Sequence, residues 1–276
     1  MRRPIVIGCG GGGCNAVSLM RGWGVAVATV NTGSSGAGAT VALADGGVSG
    51  CRGDSGLGWA LASDSADDIE ALMDGYQAVI AVAGLGGGTG AGAIPVIAER
   101  ARRRGMKVVS VVSIPLAFES RRRVRALAQL RETVRKSDRT IVADIERVKD
   151  AGGAAMPMRD SVSMANEIMA EAVIRCARLM DGPFFSTFCE KAYTVAYARA
   201  SDPAAAARAA VGYALFDPLL ESGRAIASPD GRLSQADRDS VSGVVGGLTG
   251  AVPDFAPCMK EGDGMMLFIP ISCRSL

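Results

Sequence analysis

The residues of this chain best placed to do chemistry carry no reactive side chains. The run Gly84-Leu85-Gly86-Gly87-Gly88-Thr89-Gly90-Ala91-Gly92 follows an apolar stretch, Ala78-Val79-Ile80-Ala81-Val82-Ala83, and precedes a helical pattern. Glycines let the backbone take positive φ and bring successive N–H groups up to an anion, and the following helix points its positive end at the same spot. The chemistry predicted is phosphate binding by backbone. No Lys follows the glycines, which excludes the Walker A pattern with its Gly-Lys-Ser/Thr.

A second run, Gly8-Cys9-Gly10-Gly11-Gly12-Gly13-Cys14-Asn15, follows Ile5-Val6-Ile7. Gly8-x-Gly10-x-x-Gly13 after a strand also fits a dinucleotide fingerprint. That site expects an acidic residue at the end of the next strand, where this chain has Asn31-Thr32-Gly33. Composition narrows the chemistry further. The sequence has no His, so Ser-His-Asp and Cys-His catalysis, His-based zinc hydrolysis and histidine proton shuttling are unavailable. What remains is phosphate electrostatics and carboxylate-positioned water. Seven Cys without a Cys-x-x-Cys pair read as small buried hydrophobes, not as a disulfide framework or a zinc site, and no metal ligands are predicted. A net charge of +2 gives no general footprint for nucleic acid.

The elements that must position these glycines repeat as strand, loop and helix through the first half. This predicts an α/β fold, a mostly parallel sheet with helices on both faces. Strands are expected near residues 4–8, 25–31, 77–83, 107–113 and 139–143, and ligands in such sheets sit outside the carboxyl ends of the strands. Gly33 to Ser65 reads as a long loop, functional or mobile. A long helix is expected from Ser161 to Met180, burying Met164, Ile168, Ala172 and Leu179. An Arg-rich helix from Arg121 to Arg139 reads as a solvated face or a basic patch. Later come a helix from Pro203 to Leu215, a strand near Arg224 to Ala227, a turn at Pro229-Asp230-Gly231, a helix near Ser234 to Leu248 and a final strand pair around Glu261 to Gly264. The expected division is residues 1–160, a long helix over 161–180, and a smaller α+β second domain over 181–276. No stretch reaches the roughly 18 unbroken apolar residues of a membrane span, and the start reads as a first strand and not a signal peptide. A soluble cytoplasmic protein is expected.

Two glycine loops at strand ends, with Val30-Asn31-Thr32 ending a third strand, resemble the tubulin/FtsZ superfamily of GTP-binding, filament-forming proteins, and FtsZ most of all. Gly86 to Gly92 reproduces the signature Gly-Gly-Gly-Thr-Gly-x-Gly, and Ile114-Pro115-Leu116-Ala117-Phe118-Glu119-Ser120-Arg121-Arg122-Arg123 is similar to the family's Pro-Phe-x-Phe-Glu-Gly-x-x-Arg loop. The resemblance implies a GTPase fold whose long central helix joins a smaller second domain. It implies GTP or GDP, with Mg²⁺ accompanying the nucleotide, held by Gly10, Gly11, Gly12, Gly13, Cys14, Asn15, Gly86, Gly87, Gly88, Thr89 and Gly90. Glu119 and Arg123 then stand on the ribose and phosphate side, Asp144 at the sugar and base, and Asn166 at the guanine, with Val162 in the place of the family's stacking Phe. Asn166 also reads as a plain polar residue of a helix surface.

The catalytic loop departs from the family pattern. Gly182-Pro183-Phe184-Phe185-Ser186-Thr187-Phe188-Cys189-Glu190 aligns with Gly-x-x-Asn-x-Asp-x-x-Asp, whose carboxylates work under the next subunit's nucleotide. Only the last carboxylate is kept, as Glu190, the candidate catalytic residue; its plainer reading is a solvated residue opening a helix. Phe184, Phe185 and Phe188 read as core or as an apolar contact for a neighbour. Cys51-Arg52-Gly53-Asp54-Ser55-Gly56 stands where the family closes over the γ-phosphate, with Arg52 either a charge for that phosphate or part of a surface turn. Asp217-Pro218-Leu219-Leu220-Glu221 resembles a segment of the second domain, and nothing after Ile271 resembles the family's tail peptide, so no direct membrane tether is expected. The implied function is a head-to-tail homopolymer with slow GTP hydrolysis completed between subunits. The alternatives are a hydrolysis-deficient regulator or copolymerising partner of another FtsZ homologue, and a dinucleotide enzyme that binds NAD.

Overall fold

Runs rich in Val, Ile and Ala make β1 (Pro4–Cys9), β2 (Ala26–Thr32), a short β3 (Val41–Leu43), β4 (Ala78–Gly84), β5 (Lys107–Ile114) and β6 (Arg139–Asp144). They pair in parallel in the order β3-β2-β1-β4-β5-β6. Strands covered on both faces carry nearly unbroken apolar runs, and those runs made five of the six legible in the sequence. The structure is a computed structural model and describes residues 4–20, 22–32, 40–43, 50–152, 156–180, 190–214, 216 and 223–272.

Helices α1 (Gly10–Ser18), α2 (Ser55–Asp64), α3 (Ala66–Ala71), α4 (Thr89–Arg103), α5 (Ser120–Lys136), α6 (Ile145–Gly152) and α7 (Met158–Met180) flank this sheet. Alternation along β1 sorts them into two layers. Ile5, Ile7 and Cys9 pack with α2 to α5, while Val6 packs with α1, α6 and α7. The segment read as one long loop, Gly33 to Ser65, holds β3 and the whole of α2. The Asp54 carboxylate starts that helix by accepting from the Gly56 and Leu57 N–H groups at 2.8 and 3.1 Å, a cap worth about 1 kcal/mol. The Arg-rich helix ends at Lys136, and Arg139 begins β6.

β7 (Ala192–Arg199), α8 (Pro203–Gly212), β8 (Arg224–Pro229), α9 (Gln235–Thr249), β9 (Val252–Phe255) and β10 (Gly264–Pro270) complete the described elements. β7 lies parallel to β6, with Thr140 opposite Ala192 and Val142 opposite Thr194, so one ten-stranded sheet continues as β6-β7-β10-β8-β9. β10 alone runs the other way, antiparallel to both β7 and β8. The final pair expected around Glu261 to Gly264 is therefore not a hairpin. β9 and β10 flank that segment but each pairs with β8, because β10 is inserted between β7 and β8. α9 begins on a capping box between Ser234 and Asp237, as the sequence predicted for a start near Ser234.

α7 starts three residues earlier than expected; Ala172 and Leu179 are buried as predicted, and Met164 and Ile168 are not. Ser161, Ala165, Met169, Ala172, Cys176 and Leu179 face the sheet, whereas Met164 is 41% exposed and Ile168 only partly covered. Small side chains let the helix approach the strands closely, which outweighs the larger methionine. Arg175, buried on α7, donates to the Ser228 carbonyl (2.5 Å) and hydroxyl (3.0 Å) and pairs with Glu171 (2.7 Å) and with Asp230. A guanidinium out of water requires this full set of partners, and the set ties α7 to the end of β8. Among the described residues, no helix is long and apolar enough to cross a membrane.

Candidate functional site

At the carboxyl ends of β1, β2 and β4 lies a crevice of about 270 Å³. Its walls are mostly backbone. Cys9 to Gly12 come from the β1–α1 turn, Gly84 and Gly87 to Gly90 from the β4–α4 turn, Asn31 and Thr32 from β2, and Gly50 to Gly53 from the turn before α2. The two glycine turns touch. A Cβ at Gly10 would lie 2.8 Å from the Gly90 nitrogen, and one at Gly90 2.7 Å from the Cys9 carbonyl oxygen. α1 and α4 therefore both begin at the crevice, and neither has an acidic residue in its first turn. Two positive helix ends with free N–H groups make a site for an anion with several oxygens.

The hydroxyls of Thr32 and Thr89 lie 2.9 Å apart, and that of Thr89 donates to the Cys51 sulfur at 3.4 Å. Burial pushes the Cys9 thiol well up, so it adds no negative charge beside the anion. The turn from Gly50 to Asp54 closes on itself, the Asp54 N–H donating to the Cys51 carbonyl at 2.8 Å. Arg52 at its tip has φ of +47°, the one non-glycine residue with positive φ among those described. α2 is seated on α4 through glycines. A Cβ at Gly88 would lie 2.5 Å from the Asp54 carbonyl oxygen, and one at Gly92 2.6 Å from that of Ser55.

α5 braces the same turn from outside. The Gly86 N–H donates to Gln129 Oε1 (2.6 Å), Gln129 Nε2 donates to the Gly87 carbonyl (3.0 Å), and Arg125 Nε donates to the Gly86 carbonyl (3.3 Å). One turn earlier on the helix, Arg122 lines the crevice itself.

Of the residues predicted from sequence, Gly10, Gly11, Gly12, Gly87, Gly88, Thr89 and Gly90 line the crevice. Gly13 lies beneath it, where a Cβ would run into the Val82 carbonyl. Cys14 donates to the Gly8 carbonyl at 3.6 Å, Asn15 is exposed on α1, and Gly86 is held on the α5 side. Glu119 forms an ion pair with Arg122 at 2.7 Å. Arg123 and Asp144 meet each other: the guanidinium donates to both carboxylate oxygens (2.8 and 2.5 Å) and to the Pro115 carbonyl (2.7 Å). Arg123, expected at the phosphates, is thus occupied by Asp144 and does not line the crevice. Arg122, read as part of a solvated face, lines the crevice while paired with Glu119. Asn166 sits half-buried on α7 and is not among the lining residues.

Sequence reasoning also missed Arg125 and Gln129. Their signal was available: positions 122, 125 and 129 share one helical stripe beside the buried stripe of Ala126, Leu130 and Val134.

Glu190 precedes β7, its N–H donating to the Tyr193 hydroxyl at 2.9 Å. Since β7 is parallel to β1 and β4, Glu190 lies at the amino end of the strands and the crevice at their carboxyl end. Strands of six to eight residues separate the two poles by roughly 20 Å. The predicted Gly182 to Cys189 loop and Asp217 to Glu221 lie outside the described residues.

Among the described residues there is no cluster of carboxylate or thiol groups able to hold a metal, so Mg²⁺ would be carried by nucleotide phosphates and water.

A family model described as the Tubulin/FtsZ family GTPase domain matches residues 27–152. Cell division protein FtsZ 1 of Pyrococcus horikoshii is 33% identical over 195 residues, 64% of this chain and 50% of the relative. Its namesake from Pyrococcus furiosus is 34% identical over 198 residues, 66% and 51% of the two chains. The chain therefore spans about half the length of the curated relatives it matches. Among solved structures, an empty FtsZ dimer from M. jannaschii superposes with a TM-score of 0.78 at 21% identity, covering 99% of this chain and 90% of the other. A GTPγS-bound protofilament of CetZ2 from Haloferax volcanii gives 0.77 at 20% identity, with 97% and 92% covered. At these identities the structures establish the fold.

Proposed function

We propose that this chain is a member of the tubulin/FtsZ superfamily that binds GTP and GDP in the glycine crevice and self-assembles head to tail as a cytoplasmic cytoskeletal protein. The backbone cradle of Gly10 to Gly12 and Gly87 to Gly90 takes the phosphates, Arg52 supplies positive charge, Arg122 with its partner Glu119 lines the same wall, and Mg²⁺ travels with the nucleotide. Asn166 stands for the base on α7.

The observation that carries the reading is polarity: an anion cradle at one pole of the sheet and Glu190 at the other. Within one copy they cannot meet. Stacked head to tail, one copy's Glu190 would reach the neighbour's crevice, a heterologous contact that repeats without closing. There the carboxylate would orient water for attack on the γ-phosphorus. The new P–O bond forms as the bond from that phosphorus to the β,γ-bridging oxygen breaks, leaving GDP and inorganic phosphate. Glu190 works without the Asn and Asp that the family pattern places ahead of it, so hydrolysis is expected to be slow.

The test is GTP turnover against protein concentration. Turnover rising more steeply than linearly, abolished by Glu190→Ala, is the expected result. Mixing Glu190→Ala with Gly11→Asp, each inactive alone, should restore turnover, because each supplies the pole the other lacks. Tight GTP binding without turnover at any concentration would overturn the GTPase reading and leave a nucleotide-binding regulator. NAD binding without GTP binding would overturn both.

A further inference from the structure

We infer that Gln129 and Arg125 of α5 are positioning residues that set the orientation of the phosphate-binding turn, an inference resting on the nucleotide reading of the crevice. Gly86 to Gly88 has no side chain to hold it, and glycine backbone without restraint explores both signs of φ. Gly86 itself sits at φ +85°. What fixes the turn comes from outside. Gln129 takes the Gly86 N–H on Oε1 at 2.6 Å and gives its Nε2–H to the Gly87 carbonyl at 3.0 Å. Arg125 donates to the Gly86 carbonyl at 3.3 Å. The Gly88 carbonyl is used by the Gly92 N–H at 2.9 Å, inside α4. Three successive carbonyls are thus engaged elsewhere, and the backbone groups left to the crevice at Gly87 to Gly90 are N–H donors, which an anion needs. Release of the clamp would free the Gly86–Gly87 peptide to turn a carbonyl toward the phosphates.

Arg125 extends the clamp to the second turn. A Cβ at Gly53 would meet its guanidinium at 2.9 to 3.0 Å, so the side chain lies flat against the turn that carries Cys51 and Arg52. One helix face therefore holds both phosphate-side turns in register, and touches them from the side away from the ligand.

The test uses the full chain with Gln129→Met, which keeps the length and removes both hydrogen bonds, and Arg125→Met, which keeps the stem against Gly53. Binding of GTP and of GMP is measured separately, alongside melting without nucleotide. Loss of phosphate-loop order should weaken GTP by about tenfold or more in Gln129→Met while GMP changes much less, so the GTP-to-GMP affinity ratio falls. Arg125→Met should lower the same ratio by a smaller factor. A purely structural role would lower melting and both affinities together with the ratio unchanged, and that outcome overturns the inference. So does GTP binding within twofold of wild type in both methionine variants. Failure of the wild type itself to bind GTP overturns the underlying reading instead.

Discussion

Asp144 receives both terminal nitrogens of Arg123, at 2.8 Å on Oδ1 and 2.5 Å on Oδ2, locking the end of β6 to the first turn of α5. The same Oδ1 accepts from the Glu146 N–H at 3.0 Å and so starts α6. Asp144 is nearly buried and Arg123 about a quarter exposed, so water screens the pair only in part. Asp144→Ala should cost about 1–3 kcal/mol in denaturant unfolding, and Arg123→Lys, which cannot reproduce the fork, about half as much.

Gly11 and Gly13 stand two residues apart and should respond oppositely. A Cβ at Gly11 meets nothing within 4 Å, whereas one at Gly13 runs into the Val82 carbonyl. Gly11→Asp should melt like wild type yet lose nucleotide binding, since it places a carboxylate in an anion site. Gly13→Ala should lower stability by about 1–3 kcal/mol whatever the ligand. Thermal melting and nucleotide titration of the two variants separate the effects.

Arg52 holds a backbone conformation that suits glycine, with φ of +47°. Left-handed geometry costs a side-chain-bearing residue about 1 kcal/mol, and glycine's looser unfolded chain offsets most of the relief. Arg52→Gly should leave stability within about 0.5 kcal/mol of wild type and weaken GTP more than GDP. Equal weakening of the two would remove Arg52 from the terminal phosphate.

Glu171 makes acid sensitivity a property of the second half. Burial pushes its carboxyl up, but the Lys260 hydrogen bond at 2.9 Å and the Arg175 guanidinium outweigh this and hold it below the ordinary glutamate value. A carboxyl lowered by folding adds stability above its unfolded pKa and loses it as pH falls through the folded one. Wild-type unfolding midpoints should therefore drop from about pH 5 downward, and Glu171→Gln should flatten that dependence.

What the sequence made legible follows from where side chains face. Five strands buried on both faces announced themselves as apolar runs, and their ends fell within one residue of expectation because glycines or charged residues stop each run. β3 has only three residues, too few for a period, and β7 alternates among Ala, Tyr, Thr and Val beside a segment read only as a loop. Met164 and Ile168 misled because the stripe expected from their spacing was phased one residue away from the buried Ala165 and Met169. The glycines of the site were visible because they depart from composition. Gln129, Arg125 and Arg122 showed only as a shared stripe beside the buried face of α5, and nothing in the sequence named the turn that this stripe touches.

The seating of α2 on α4 divides the glycine signature into two kinds of letter. At Gly88 and Gly92 any side chain would collide with the backbone of the Asp54 to Trp59 stretch, with or without a ligand. Those two would persist in a descendant that had abandoned nucleotides altogether. Gly11 has no neighbour within 4 Å, and Gly87 has only the Gly84 carbonyl at 3.9 Å, so packing alone permits side chains there. Across homologues, drift at positions 11 and 87 with 88 and 92 intact is the mark of a fossil cradle, and retention of all four is the mark of a working one.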